Sequence, residues 1–249
     1  MESELSGKVA IVTGAGRNIG RAIALALADA GAAVTVVVRS NRAEADAVVK
    51  EIEAEGGKAL AQLADIADGK AVQAAAEATL RHFGRIDCLI NNAAIRREKN
   101  IGEMDYGDWR EVMGVTLDGA FHCVKACLPS LKKNGGTIVN IGGMSAHLGS
   151  KDRAHVMAAK LGLVGFSRGL AHDLAGEGIT VNCVVPGAID TARAKGAQTP
   201  AHHLTHGTIT GERGKPEDVA AMVRFLCGPG ARHLTGQTLH VNNGAYLGS

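Results

Sequence analysis

The strongest constraint on the fold of this chain is a repeated alternation of short apolar runs with longer stretches of helical period. The runs are rich in Val, Ile and Ala, as in Val9–Val12, Ala33–Val38 and Thr180–Val185. Strands that are apolar throughout and alternate with helices are typical of a parallel sheet. We therefore predict an α/β fold, a doubly wound parallel sheet of about seven strands flanked by helices on both faces.

Composition indicates a single domain that spans residues 1–249. Apolar residues make up 46% of the chain, which is enough for one large core. Aromatic residues make up only 3%, and this scarcity fits helices packed closely on a sheet through Gly and Ala better than a β-sandwich. No linker or internal repeat divides the sequence.

The charge and cysteine patterns exclude several classes of partner. The net charge of +2 is spread over interspersed acids and bases, so we expect no nucleic-acid partner. No apolar run approaches the ~18 residues of a membrane span, so we expect no membrane partner. The five cysteines form no paired framework, which is typical of reduced thiols in a cytoplasmic protein.

A glycine-rich turn follows the first predicted strand and leads directly into a helix. Its sequence is Thr13-Gly14-Ala15-Gly16-Arg17-Asn18-Ile19-Gly20. Such a turn lets backbone N–H groups and the positive end of the helix approach a pyrophosphate. Because it lies after the first strand of a long series of strands and helices, it predicts a Rossmann-type dinucleotide site.

This turn resembles the T-G-x-x-x-G-x-G fingerprint of the short-chain dehydrogenase/reductase (SDR) family. Asn91–Ala94 is similar to the N-N-A-G motif of that family, and Pro186-Gly187 and Thr235–Gly244 also match. The resemblance covers nearly the whole chain and is of the 3-oxoacyl-carrier-protein-reductase-like type. Asn18 stands where the family has Gly, but Asn tolerates the left-handed backbone that such a turn requires.

The resemblance implies which residues bind a nicotinamide cofactor. The implied contacts are Asp65 and Ile66 with the adenine, Asn91 and Ala93 with the ribose, and Ile189 and Thr191 with the nicotinamide, together with Gly14, Gly16, Arg17, Asn18, Ile19 and Gly20 of the turn and Pro186 and Gly187 after the sixth strand. Lys160 is implied as a further contact, because the family Lys also bonds the nicotinamide ribose.

The choice between NAD(H) and NADP(H) depends on the end of the second strand. An acidic residue there binds the ribose 2′-hydroxyl, whereas a basic residue accommodates a 2′-phosphate. The chain has Arg39 at this point and no carboxylate within Val37–Ser40. Arg17 and Arg39 could clamp a phosphate between them, with help from Arg42. We therefore predict NADP(H) as the cofactor.

The catalytic pattern of the family is largely replaced. SDR enzymes use an Asn, a Ser, a Tyr and a Lys, and the Lys helps the Tyr to exchange a proton with the substrate oxygen. Lys160 matches the family Lys. The Tyr position holds Val156, the Ser position Gly143 and the Asn position Thr116. Three of the four roles are therefore vacant in this register.

Two neighbouring side chains are candidates for the missing catalytic roles. His155 is adjacent to the Tyr position, and His is the natural acid or base near neutral pH. It precedes Lys160 by five residues, which is about 140° around a helix. An exposed or helix-capping His155 is therefore the alternative. Ser145 follows the Ser position by two residues, on a predicted loop.

The substrate region is predicted from topology and from charge. A polar loop over residues 190–215 is expected to cover the substrate cleft. No nearby Cys or carboxylate completes a metal site with His202, His203 and His206, so we expect no metal.

These features support more than one function. We predict an NADP(H)-dependent oxidoreductase that acts on a small carbonyl/alcohol pair, with His155, a water or the substrate itself as proton donor. The alternatives are a catalytically silent cofactor-binding sensor or partner subunit, and a non-redox enzyme on the same fold. Arg96 and Arg97 could reach an acidic group of a small-molecule substrate, or could simply be solvated. The resemblance also implies a homo-oligomer, namely a tetramer.

Overall fold

A parallel sheet organises the chain, of which the computed structural model describes residues 3–191 and 207–248. Its strands are β1 (Val9–Thr13), β2 (Ala33–Val38), β3 (Ala59–Leu63), β4 (Cys88–Asn91), β5 (Gly136–Ile141), β6 (Ile179–Pro186) and β7 (Thr238–Val241). Within the described residues they form one seven-stranded sheet in the order β3-β2-β1-β4-β5-β6-β7. Every neighbouring pair is parallel, which confirms the predicted doubly wound fold.

Helices cover both faces of the sheet. They are α1 (Asn18–Asp29), α2 (Arg42–Ala54), α3 (Gly69–Phe83), α4 (Tyr106–Met113), α5 (Gly119–Asn134), α6 (Ser145–Leu148), α7 (Ala154–Leu174) and α8 (Pro216–Cys227). Helices α1, α2 and α8 enclose one apolar core, and α3, α5 and α7 enclose a second. Because successive strand residues point to opposite faces, Val36 packs in the first core and Val37 in the second.

The helical period over Tyr106–Leu131 predicts one long helix, but the structure divides this segment. A π-helical turn, Gly114–Asp118, separates α4 from α5. Helix α5 also continues past Pro129 to Asn134, although Pro is unfavourable inside a helix. Its last turn is anchored by the buried Ser130 hydroxyl, which accepts from the Ile86 N–H at 2.7 Å and donates to the Ile86 carbonyl at 3.1 Å.

The strand order creates a crevice between β1 and β4. From β1 the chain moves outward to β3, and it then returns to β4 on the other side of β1. The loops that follow β1 and β4 therefore leave in opposite directions, and ligands of open α/β sheets bind at such a switch point. Within residues 3–191 and 207–248, no helix has the length and apolar character needed to cross a membrane.

Candidate functional site

A cleft of about 620 Å³ opens at the carboxyl ends of β1, β2 and β4, at the switch point of the sheet. Most of the predicted cofactor residues line it, although they come from separate parts of the chain. They are Gly14, Gly16, Arg17, Asn18, Ile19, Gly20, Arg39, Asp65, Ile66, Ala93 and Thr191. The fold thus gathers the sequence motifs around one concave surface.

Close backbone contacts shape the glycine turn between β1 and α1. Gly14 has a φ of +64°, and a Cβ on it would lie 2.9 Å from the Cα of Ala93. A Cβ on Gly20 would lie 2.2 Å from the carbonyl oxygen of Gly14. Asn18 begins α1 with a φ of +51°, the left-handed backbone expected of this position. The turn therefore has the form of a backbone cradle, which fits the pyrophosphate of a dinucleotide.

Hydrogen bonds tie this turn to the segment that follows β4. The Thr13 hydroxyl donates to the carbonyl of Ile90 (3.2 Å) and accepts from the backbone N–H groups of Asn92 (3.0 Å) and Ala93 (3.1 Å). The side-chain amide of Asn92 donates to the carbonyls of Thr13 (2.9 Å) and Gly14 (3.2 Å). We call these bonds the Thr13–Asn92 latch. Sequence analysis placed both residues in motifs but gave neither a role, because the partners are distant in sequence.

Two arginines stand at the β2 end of the cleft. Arg17 and Arg39 are both exposed and line it, and within the described part of the chain neither is ion-paired to a carboxylate. Arg42, expected to assist them, is engaged by Asp46 one turn along α2 (Nε–Oδ1 2.8 Å). Glu44 also lines the cleft and brings a carboxylate that inspection of the β2 end alone did not reveal.

The other predicted cofactor residues lie at the ends of β4 and β6 and on α7, outside the wall of this cleft: Asn91, Lys160, Pro186, Gly187 and Ile189. Asn91 is buried, and its amide donates to the side-chain oxygen of Asn140 on β5 at 2.8 Å. Gly187 approaches Asn242 so closely that an added Cβ would lie 2.6 Å from the Asn242 Cβ. These residues therefore lie beside the cleft, where the neighbouring strands end.

Lys160 extends from α7 to the end of the sheet. Its Nζ donates to the carbonyl of Ile141, the last residue of β5, at 2.5 Å, and the residue is only 6% exposed. Burial, and after it the positive charge of Arg96, lowers the pKa of Lys160 to about 7. An ammonium group has three N–H donors, so the bond to Ile141 leaves two for other acceptors. A group with such a pKa can give or take a proton near neutral pH.

The residues predicted to occupy the family Tyr and Ser positions, Val156 and Gly143, differ in their surroundings. Val156 is buried in a small apolar cluster with Val112 of α4 and with Ala159. Gly143 has open space, because the nearest atom to an added Cβ would be the Cγ of Lys160, at 3.9 Å. Apolar packing therefore fills the Tyr position, whereas the Ser position leaves room beside the lysine.

Thr116, at the position of the family Asn, lies in the π-helical turn between α4 and α5. It is 3% exposed, and its hydroxyl has no hydrogen-bond partner among the described residues. Turns of this kind occur frequently at functional sites. The hydroxyl therefore has unused hydrogen-bonding capacity in the buried interior of the described residues.

The expectation of an exposed or helix-capping His155 is wrong. His155 is completely buried in the first turn of α7, and neither ring nitrogen has a hydrogen-bond partner among residues 3–191 and 207–248. Burial lowers its pKa, the charge of Asp108 on α4 raises it, and that of Arg153 lowers it. The packing of α4 against the first turn of α7 explains the burial. Lys160, by contrast, reaches the sheet.

Ser145 begins a one-turn helix, α6, where sequence analysis predicted a loop. Its carbonyl accepts from the N–H of Gly149 at 2.8 Å, and Gly149 ends the turn with a φ of +86°. The side chain is half-buried, two residues from Gly143. A single helical turn is too short for a periodic pattern to reveal.

The two arginines that follow β4 have different surroundings. Arg97 forms an ion pair with Glu111 of α4 at 2.7 Å. Arg96 lines the cleft, and its charge acts on Lys160 and on Arg153. Arg153 is only 7% exposed, and burial followed by the charge of Arg96 lowers its pKa. Nothing in the sequence indicates the burial of Arg153, because that burial depends on distant segments of the chain.

Much of the predicted substrate loop, residues 190–215, lies outside the described residues, as do His202, His203 and His206. The two described ends of this loop are held together by a bridge between Ile189 and Gly214 and by an ion pair between Asp190 and Arg213. In the described part of the chain, no group of three or more His, Cys, Asp or Glu residues is placed to hold a metal ion.

Known proteins are similar to this chain in sequence and in fold. A family model described as enoyl-(acyl carrier protein) reductase matches residues 14–246. The chain is 41% identical over 245 residues to a 3-oxoacyl-[acyl-carrier-protein] reductase of Synechocystis sp., with 98% of each chain covered.

Solved structures agree with this relationship. A dehydrogenase/reductase from Sinorhizobium meliloti 1021 superposes with a TM-score of 0.93 at 36% identity, covering 99% of this chain and 98% of that one. A blue fluorescent protein from a metagenomic library, solved in complex with NADPH, superposes with a TM-score of 0.91 at 37% identity, covering 98% of this chain and 100% of that one. The chain therefore belongs to the short-chain dehydrogenase/reductase family of oxidoreductases.

Proposed function

We propose that this chain is an NADP(H)-dependent oxidoreductase that acts on a small carbonyl/alcohol pair, with Lys160 exchanging the proton that relatives exchange through a Tyr. The observation that carries the proposal is the position of Lys160, buried at the end of β5 beside the open space at Gly143. The relatives support the reaction class, because one is named a 3-oxoacyl-[acyl-carrier-protein] reductase and another was solved with NADPH.

The residues of the cleft fit the cofactor. The backbone of the Gly14–Gly20 turn would hold the pyrophosphate. Arg17 and Arg39 would hold the 2′-phosphate, because planar guanidinium groups suit the geometry of phosphate oxygens. Asp65 and Ile66 would contact the adenine. When bound, NADP(H) supplies or accepts a hydride at the substrate carbon.

Lys160 would perform the acid–base step. In reduction, its ammonium form gives a proton to the carbonyl oxygen as that oxygen becomes an alcohol, and in oxidation its amine form takes the proton back. The bond to the Ile141 carbonyl holds the Nζ in place, and the missing side chain at Gly143 leaves space for the substrate oxygen. His155 and Ser145 are secondary candidates for the same step, since His155 has two unpartnered ring nitrogens among the described residues.

We further propose a cytoplasmic homo-oligomer, with a tetramer as the expected state. All four residues of β7 are only partly buried in the single chain, which leaves this edge strand available to another copy. Size-exclusion chromatography with light scattering measures the oligomeric state, and a monomer over the working concentration range would contradict the proposal.

The test of function is NADPH oxidation by the purified chain over a panel of aldehydes, ketones and oxoacyl thioesters, beside a K160A variant. Turnover that disappears in K160A supports the proposal. Turnover that K160A retains overturns the role of Lys160 but not the reaction class. NADPH that binds without being consumed indicates a catalytically silent protein, and product formation without any change in NADPH indicates non-redox chemistry.

A further inference from the structure

We propose that Arg96 and Arg153 form a subsite for a substrate carboxylate, so that the preferred substrates are oxo acids or the corresponding hydroxy acids. This inference rests on the proposed oxidoreductase function and names the substrate class of the same site. The two arginines are 57 positions apart in the sequence, one on the loop after β4 and the other at the N-terminus of α7.

Hydrogen bonds fasten the loop that carries Arg96 to the start of α7. The backbone N–H of Lys99 donates to the carbonyl of Asp152 at 2.6 Å, and the amide of Asn100 donates to the Asp152 carboxylate at 2.8 Å. Arg96 lies three residues before Lys99 on this loop, and Arg153 directly follows Asp152. These bonds therefore fix the two backbones that carry the guanidinium groups.

Positive charge is concentrated at this point. Arg153 is nearly buried, Arg96 lines the cleft, and their charges act on each other and on Lys160. Asp108 is ion-paired to Lys99, Asp152 accepts from Asn100, and Glu98 acts on Arg153. A bound anion would reduce the repulsion among the three cations, most strongly at Arg153 and Lys160, because charges interact strongly where they are buried.

The N-terminal end of α7 also favours a bound anion. The helix is 21 residues long, and its first turn has neither an acidic residue nor a side-chain cap. Its positive N-terminal end is therefore not compensated within its own first turn, and such an end favours an anion. His155 lies in the same turn, with two ring nitrogens that have no partner among the described residues.

The subsite, as proposed, would also limit the size of the substrate. The charges that would hold the anion also act on Lys160, the proposed proton donor. An anion held there would lie close to the carbonyl that receives the proton. A carboxylate one or two carbons from the reacting carbonyl meets this requirement, as in a 2-oxo or 3-oxo acid.

Arg97 provides a matched control. It is adjacent to Arg96, but it is engaged by Glu111 of α4 at 2.7 Å. R97Q therefore removes one positive charge from the same loop without removing a member of the subsite. R96Q and R153Q remove a member, and Gln keeps much of the side-chain length.

The binding test uses no cofactor and no turnover. Calorimetric titration of the purified chain with malonate, a dicarboxylate that cannot be reduced, should show binding to the wild type and to R97Q. Binding should weaken by roughly tenfold or more in R96Q and in R153Q, because hydrogen bonds between charged groups are strong. Equal binding by all four proteins overturns the subsite. Tighter binding of inorganic phosphate than of malonate overturns the assignment to a carboxylate.

The kinetic test compares acetoacetate with its methyl ester, which has the same carbonyl and no charge. The wild type and R97Q should prefer the acid in kcat/KM, and this preference should fall about tenfold or more in R96Q and R153Q. An equal fall in R97Q overturns the proposal, because general charge would then explain it. If R153Q does not fold, the exposed Arg96 still gives the test through R96Q. If no carbonyl consumes NADPH, the oxidoreductase function fails while the malonate titration still decides the subsite.

Discussion

The two ends of the candidate site are built in different ways. The dinucleotide cleft between β1 and β4 is made largely of backbone, with glycines in contact and the Thr13–Asn92 latch across it. The proposed proton-transfer region between β5 and α7 depends on side chains, and the resemblance predicts that most of the family's residues are replaced there. In the backbone cradle, an added Cβ would collide with neighbouring atoms, so substitutions there are not tolerated. In the other region, Gly143 has open space around it and Val156 packs in an apolar cluster, so side chains can be exchanged there. The chemistry of this fold can therefore change while its nucleotide cleft is kept.

The largest effect is expected when the backbone cradle is broken. In G20A the new Cβ would collide with the Gly14 carbonyl and with the Asn92 amide, 2.2 and 2.5 Å away. We expect NADPH binding to be lost and the free energy of unfolding to fall by about 1–3 kcal/mol. Calorimetry and urea unfolding measure the two effects. G143A is the control, since its Cβ makes only an ordinary contact. Equal losses in both variants would contradict the difference between the two regions.

The next effect concerns the proton donor. We expect K160A to lower kcat/KM for reduction by roughly 10²–10⁴, the contribution of a positioned acid. In the wild type, reduction needs the ammonium form, so the rate should decline as the pH rises above about 7, the pKa of Lys160. Oxidation of the alcohol needs the amine form and should decline below that pH. Profiles measured in both directions check the sign. An inflection that persists in K160A would belong to another group.

The choice of cofactor gives a smaller effect. R17Q and R39Q should each weaken NADPH binding by roughly 10–100-fold, because each removes a charged hydrogen-bond donor to the 2′-phosphate. NADH binding should change little, since NADH lacks that phosphate. Fluorescence titration with both cofactors measures the ratio. R42Q is the matched control, because Arg42 is engaged by Asp46. If the binding of NADH and of NADPH weakened equally, Arg17 and Arg39 would not be the residues that recognise the 2′-phosphate.

The smallest effect is expected at His155. Burial lowers its pKa in the folded chain, so the unfolded chain binds a proton more readily. Wild-type stability should therefore fall as the pH drops below about 6.5, the usual His pKa. H155Q should lose part of this dependence. Urea unfolding at pH 7.5 and pH 5.5 measures the difference. The same pH dependence in both proteins would show that His155 titrates as it does in the unfolded chain.

Local patterns predicted the elements better than they predicted their interruptions. β2 begins and ends where its apolar run does, at Ala33 and Val38, because a buried parallel strand is a largely continuous apolar segment. The π-helical turn at Gly114–Asp118 was missed, because its residues continue the apolar period of the flanking helices. Asn18 was predicted correctly as left-handed, since that property belongs to the residue and its turn.

The sequence by itself determined the fold and the position of the nucleotide cleft, and it predicted the departures from the catalytic pattern of the family. These properties depend on residue type and on spacing along the chain. Only the tertiary structure decided the burial of His155 and Arg153, the engagement of Arg97 by Glu111 and the surroundings of Lys160. Burial and charge environment depend on segments that are distant in sequence, because desolvation and Coulomb interactions act through space.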